Sequence, residues 1–510
     1  MDAPISAETN ADLALDTGEA PVFTHRQVLQ VVFGILLCIL LAAIDQTVVV
    51  PAVPSIAADL NGFGHLSWII SAYLVTSTAS TPIYGKLSDI YGRRAVLLPA
   101  IVVFVVASAL CAMSQSLVQL ILARALQGLG GGGLMAMSQA AIADVVSPRE
   151  RGRYQGYMAG TWGVASVAGP ILGGWMTDNL SWRWIFWINL PVGIAAYFLS
   201  SSALRLLVVQ SRAAKIDYVG AALLSGCIVS SLLLLSWGGT EYSWGSVEIL
   251  ALGGLSLAFL VALVVQARAI ADPLLPPRLF ADGVFSRGVA VASLTAAGMF
   301  GGTFLLPLFF QLARGADAAS AGTLIVPFLG SNCVGAFTAG QIARKLGRSK
   351  IIIQMGLAGA VLGFGMLATI GPDSSVLFSS LAMMIVGVSI GVTLPSTLVA
   401  VQNAVERRDV GSATGALLFL RSMGGAVGST MVGAILSGVF AAGLVARGVR
   451  PLDLGAMHGA SSARELGDAV FGQAQAALTV AMHWSFGGCA GVMALEFLVC
   501  WGLRDIPLRK

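Results

Sequence analysis

The sequence predicts an all-α membrane protein of fourteen transmembrane helices, two pseudo-symmetric six-helix bundles with an inserted helix hairpin. Three observations carry this. Only 11% of the 510 residues are charged and 56% are hydrophobic, against about 25% charged in a soluble protein, so most of the surface must face lipid. The apolar residues gather into fourteen runs, each long enough to cross a bilayer core of about 30 Å, which takes roughly 20 helical residues. A charged turn between two such runs, Gly85-Lys-Leu-Ser-Asp-Ile-Tyr-Gly-Arg-Arg94, recurs in weaker form as Gly340-Gln-Ile-Ala-Arg-Lys-Leu-Gly-Arg-Ser-Lys350.

Residues 1–26 are acidic and polar and lack the basic n-region of a signal peptide, so they read as a cytoplasmic tail. The runs follow at about 27–54, 66–85, 94–113, 115–146, 151–176, 181–205, 217–237, 246–267, 285–312, 319–343, 350–371, 375–402, 411–440 and 478–503. They are continuous rather than alternating, and backbone in lipid must satisfy its own hydrogen bonds, so each is read as a helix. Residues 27–205 form the predicted N-terminal bundle, 217–267 the hairpin and 285–503 the C-terminal bundle, with an outer loop at 441–477. That loop has the pattern of a short amphipathic helix around Glu465. Pro273, Pro276 and Pro277 make 268–286 a stiff connector.

Orientation follows from the basic residues. With the N-terminus in the cytoplasm, 22 of the 29 Lys and Arg residues fall on the cytoplasmic side. Five fall outside (Arg183, Arg314, Arg447, Arg450, Arg464), and Arg124 and Arg421 lie within spans. The net charge of +4 therefore reflects membrane orientation, and no basic soluble face for nucleic acid exists. The six cysteines sit inside apolar runs as packing residues. No Walker loop, Cys-x-x-Cys or His-Glu-x-x-His pattern points to a cofactor or a metal. None of the four histidines neighbours a nucleophile, so an enzyme is not expected.

The two charged turns match at Gly85/Gly340, Leu87/Ile342, Gly92/Gly347 and Arg93/Arg348. Two spans after each comes a second charged turn, Ser147-Pro-Arg-Glu-Arg-Gly152 or Glu406-Arg-Arg-Asp-Val-Gly411. Halves repeated in the same sense belong to alternating-access transporters, with the substrate site between them near the midplane.

These residues carry a resemblance. Residues 25–508 resemble the major facilitator superfamily, in particular its fourteen-helix drug:proton antiporter branch. Gly85–Arg94 matches its signature loop and Leu120-Ile-Leu-Ala-Arg-Ala-Leu-Gln-Gly128 its fourth-helix arginine motif. Gly169-Pro-Ile-Leu-Gly-Gly174 matches the fifth-helix antiporter motif. Ile44-Asp-Gln-Thr-Val-Val-Val50 resembles the acidic motif of the first helix, although Pro51 departs from the family pattern and should weaken the outer end of that helix.

Charges inside spans cost at least about 2.5–3.5 kcal/mol each and mark function by default. Asp45 and Arg124 are therefore expected to face one polar cavity and couple protons: a nearby arginine favours the carboxylate, and separation favours proton uptake. A permanent structural ion pair is the competing reading. Arg421 and Glu496 form a second candidate pair, with Glu496 snorkelling to the inner interface as the alternative. Gly85, Asp89, Gly92, Arg93, Arg94 and Asp144 make a candidate cytoplasmic gate. In it Asp89 faces the positive N-terminus of a helix, which the resemblance places near Gly411, and Arg93 pairs with Asp144. The competing reading is that these charges only enforce topology.

Gly169, Pro170, Gly173 and Gly174 are expected to let the fifth helix bend and pack against the other half. Tyr73, Met299, Phe300, Phe309, Phe310, Gln311 and Asn332 are candidate cavity residues. Trp182, Trp184 and Trp187 suggest an interfacial belt. The resemblance implies efflux of amphipathic drugs or toxic compounds from a bacterial-type inner membrane. The proton gradient would supply the energy and no cofactor is needed; the partners are small molecules, protons and lipid, and a monomer is expected. A dedicated exporter of one metabolite, lipid or amino acid, or a receptor without flux, remains the alternative.

Overall fold

The computed structural model describes residues 25–60, 66–206, 217–239, 242–270, 273–316, 318–450 and 468–507. The acidic tail and the centre of the predicted 441–477 loop, with its amphipathic pattern, lie mostly outside these. The long helices are α1 His25–Val48, α2 Leu66–Tyr91, α3 Arg93–Met113, α4 Leu117–Val145, α5 Pro148–Asn179, α6 Asn189–Ala203, α7 Tyr218–Trp237, α8 Val247–Ala269, α9 Gly283–Leu308, α10 Val326–Leu346, α11 Lys350–Leu367, α12 Val376–Ala404, α13 Val410–Ala446 and α14 Asp468–Trp501. α13 and α14 reach several residues further toward each other than the apolar runs suggest.

Twelve of these helices are long and apolar enough to cross a membrane. α2 and α5 fall below that standard, because α2 carries Thr, Ser and Pro through its middle and α5 opens on Pro148-Arg-Glu-Arg-Gly-Arg153. Both pack against helices of the opposite half (α2 on α13, α5 on α10), so they need fewer lipid-compatible side chains.

Local chemistry sets the ends. Ser116, Ser246 and Ser375 cap α4, α8 and α12, each accepting from a backbone N–H three residues on. Asp217 and Asp282 do the same for α7 and α9. Such caps satisfy amides that the helix itself leaves unbonded. Pro51 has its expected effect: α1 ends at Val48 and a 3₁₀ turn, Val50–Ala52, leads into the short helix Val53–Asp59. Gly92 at φ +84° and Gly347 at φ +65° reverse the chain between α2 and α3 and between α10 and α11, conformations that cost little only for glycine. This is why glycine recurs in both copies of the turn.

α1–α6 pack around Val31, Ile35, Leu97, Phe104, Met137 and Ala196. α9–α14 pack around Leu305, Phe309, Phe364, Met383, Phe440 and Phe486. The hairpin α7–α8 is not peripheral to both halves. α7 lies along the α2–α13 seam, where Ala79, Leu224, Ile228, Leu274 and Phe419 share a buried cluster. Trp237 meets Trp68 edge-on at 5.5 Å, and Thr430 donates to the Leu235 carbonyl at 3.2 Å. α8 lies outside α7, its apolar side chains largely exposed.

Candidate functional site

Asp45 on α1 and Arg124 on α4 meet inside the first six helices, 0% and 1% exposed. The Arg124 guanidinium donates to Asp45 Oδ2 at 2.6 Å and to Gln127 Oε1 at 2.8 Å. Gln127 and Asn189 then donate to Asp45 Oδ1 at 2.7 and 2.8 Å. Asn189 also donates to Ser108 Oγ at 3.0 Å, and Ser108 donates to the Phe186 carbonyl at 2.9 Å. Arg124 reaches the Ile69 carbonyl through Nε at 3.2 Å and lies 4.5 Å above the Tyr73 ring. A buried ion pair is tolerated only when its remaining hydrogen-bonding capacity is also filled; here α2, α4 and α6 fill it, and Ser108 of α3 holds Asn189 in place.

Gln127, Asn189 and Ser108 are absent from the sequence-based set. Gln127 could have been found, since it lies one turn from Arg124 on the same face. Asn189 and Ser108 carry no such signal. Tyr73, a candidate cavity residue, is buried in this network beneath the Arg124 guanidinium.

A second cluster closes the end that carries the basic turns. Asp89, near the end of α2, accepts from the Gly411 and Ser412 amides at 2.9 and 2.6 Å and from Ser412 Oγ at 2.8 Å. These are the first turn of α13, in the opposite half, where the helix dipole favours a carboxylate. Arg93 donates to Asp89 Oδ1 at 2.8 Å and to Asp144 Oδ2 at 2.7 Å. Gly85 lies directly on Gly411 and Gly415, and an added Cβ would overlap the Gly411 carbonyl. Ser412, which the sequence reading did not single out, supplies two of the three bonds that α13 makes to Asp89. Arg94 stands apart from the gate: it donates to Ser201 on α6 at 3.3 Å, within its own half.

The second copy of the turn uses backbone packing in place of the carboxylate. Gly340 of α10 touches Gly152 of α5, where neither position has room for a Cβ. Arg344 stands where the first copy has Asp89, and Arg348 pairs with Asp505 near the C-terminus at 3.2 Å. Arg151 reaches toward Gln402 at 3.5 Å, and Gln402 donates to Thr414 at 3.0 Å. The halves therefore meet at this end through two seams related by the repeat, α2–α13 and α5–α10. Gly340→Val is expected to prise the second seam apart, and an increased reaction of hinge-end single cysteines with a membrane-impermeant maleimide will register it.

Other predicted groupings change. Arg421 and Glu496 are not paired: Glu496 bonds to Thr295, and Arg421 has no ion pair among the described residues. Gly169 and Gly173 pack on Thr47 and Val48 of α1 in their own half, not on the opposite half; Pro170 is exposed and Gly174 faces open space. The α5 contacts to the other half are lower, at Gly152, Gly156 and Gly163.

Phe309 and Phe310, which open the π-helical turn Phe309–Ala313, are fully buried in the core of α9–α14 and are not cavity residues in this arrangement. Met299, Gln311 and Asn332 are half-buried, while Phe300 is 49% exposed with its ring against Gly425. Trp182 is buried and donates to Asp59 at 3.0 Å, which removes it from the belt; Trp184 is exposed. Two open, mostly apolar surface grooves, on α8 and between α13 and α14, include none of the residues of either cluster.

Residues 35–429 match the Major Facilitator Superfamily model. The chain is 36% identical to the multidrug transporter protein MdtP of Bacillus subtilis, over 79% of this chain and 74% of that protein. It is 34% identical to multidrug resistance protein 3 of the same organism, over 80% of each, and 33% identical to the efflux pump dotC of Dothistroma septosporum, over 83% and 73%. Among solved structures the fold is similar to the human organic anion transporter MFSD10 (TM-score 0.62, 16% identity, 93% and 99% covered). It is similar also to the proton:xylose symporter XylE (0.63, 15%, 95% and 97%). With its repeated turn, its apolar helices and these relatives, the chain belongs to the major facilitator superfamily of integral membrane transporters.

Proposed function

We propose that this protein exports amphipathic drugs or toxic compounds across a plasma (bacterial inner) membrane in exchange for protons, by alternating access. In this reading all fourteen helices span the bilayer and both termini are cytoplasmic. Residues 27–205 and 285–503 are the two moving halves, and the end closed by Asp89 is the cytoplasmic one. The observation that carries the proton coupling is the buried Asp45 carboxylate, held by Arg124, Gln127 and Asn189 on α4 and the start of α6. Those donors are side chains that rotate away more readily than backbone would. Opening the cytoplasmic side breaks the Asp89 contacts, and re-aiming Arg124 leaves Asp45 free to take a proton. Relatives named as multidrug transporters and efflux pumps support a drug-like substrate class.

Reconstitution into proteoliposomes with an imposed pH gradient tests this. Lipophilic cationic dye should move against the proton flux, and dissipating the gradient should stop it. Dye movement indifferent to the gradient would overturn proton coupling, and no dye movement would overturn the substrate class.

A further inference from the structure

Glu496 on α14 is fully buried between two apolar clusters. Ile353, Leu357, Val291 and Cys500 lie on the hinge side of it, and Met493, Phe364 and Cys489 on the other. Among the described residues its Oε2 has no hydrogen-bond partner, and its Oε1 meets Thr295 Oγ1 of α9. The threonine hydroxyl also lies 2.9 Å from the Val291 carbonyl, one turn back on its own helix. A hydroxyl has one hydrogen. Both acceptors compete for that one hydrogen, so a carboxylate at Glu496 would receive at most one shared hydrogen bond.

Charged groups on the neighbouring helices are engaged elsewhere or are not bonded to it. Lys350 of α11 donates to the Trp501 carbonyl at 3.0 Å, and Arg287 of α9 donates to the Gly502 carbonyl. Arg421 of α13 makes no ion pair with it, and the other ionisable groups toward the middle and end of α14 are His483, Cys489 and Cys500. An isolated carboxylate here would be buried without compensation, so the neutral acid is the stable form.

We propose that Glu496 is a second proton-binding site, in the C-terminal half, which holds a proton in this hinge-closed arrangement and releases it when α9 moves. Gly298, Gly301 and Gly302 follow Thr295 on α9, and the π-helical turn Phe309–Ala313 continues the helix; both features let a helix bend. Movement of α9 carries Thr295 away from Glu496 and admits water, to which the proton passes. The role in transport rests on the proton-coupled reading above; the protonation itself does not.

Infrared spectra of the full-length protein in lipid nanodiscs test the assignment. At neutral pH the wild type should show the carbonyl stretch of a protonated carboxylic acid, shifted in D₂O, retained in Asp45→Asn and lost in Glu496→Gln. Absence of the band, or its persistence in Glu496→Gln, overturns the proposal. Should Glu496→Gln fail to fold, Thr295→Val must shift the band, and an unmoved band overturns it. In proteoliposomes Glu496→Gln is expected to lower the protons entering per substrate leaving by one, and an unchanged ratio overturns the transport role. A wild type without any proton flux would refute the coupled reading while the infrared result still decides the protonation.

Discussion

Asp45→Asn is expected to reduce gradient-driven export to the level of empty vesicles while the protein still inserts and elutes as a single species. The substitution keeps the shape of the side chain but removes its charge and its ability to exchange a proton. It also leaves Arg124 buried beside neutral partners, and stripping one member from a buried ion pair costs about 3–5 kcal/mol. A lower thermal midpoint should therefore accompany the loss of transport. The double variant Asp45→Asn with Arg124→Leu separates the two effects: removing both charges should recover much of the stability and none of the transport. Wild-type export in the double variant would make the pair a structural strut.

The second large effect is expected at the gate. Asp89 accepts four hydrogen bonds, three of them from the first turn of α13. Asn at this position keeps one accepting oxygen and turns an amide N–H₂ toward backbone donors. Hydrogen bonds to a charged group contribute about 1.5–3 kcal/mol each, so losing two is worth about 3–6 kcal/mol. As every 1.4 kcal/mol is tenfold, the closed state should lose at least about a hundredfold in population. Spin labels at Tyr91 and Arg408, both exposed on either side of the latch, should report a longer and broader distance distribution in Asp89→Asn. An unchanged distribution would mean that glycine packing alone holds the gate, and Gly340→Val would then be the more severe lesion.

Much of this was legible in the sequence because membrane physics leaves few choices. A run of about 20 apolar residues must become a helix, and glycine at Gly92 and Gly347 announces a one-residue reversal. Intramembrane charge is rare enough that Asp45 and Arg124 stood out without any structure. The aromatic candidates were less legible. Phe309 and Phe310 look like cavity residues in a linear reading, yet packing among α9–α14 places both in the core. Arg421 and Glu496 lie on consecutive helices, but proximity in sequence does not fix the face from which each side chain leaves.

What the sequence by itself determined is the helical content, the family, the lopsided placement of basic residues and the identity of the residues too costly to bury without a purpose. Each follows from composition or local spacing. Only the tertiary structure decided that Asn189 and Ser108 complete the Asp45 network, that Ser412 receives Asp89, that Gly152 and Gly340 form the second seam and that Glu496 meets Thr295. Those pairings join residues on different helices. In a bundle of apolar helices, hydrophobicity is nearly the same on every face, so packing of small residues and hydrogen-bond satisfaction choose the neighbours, and neither is written in the order of the chain.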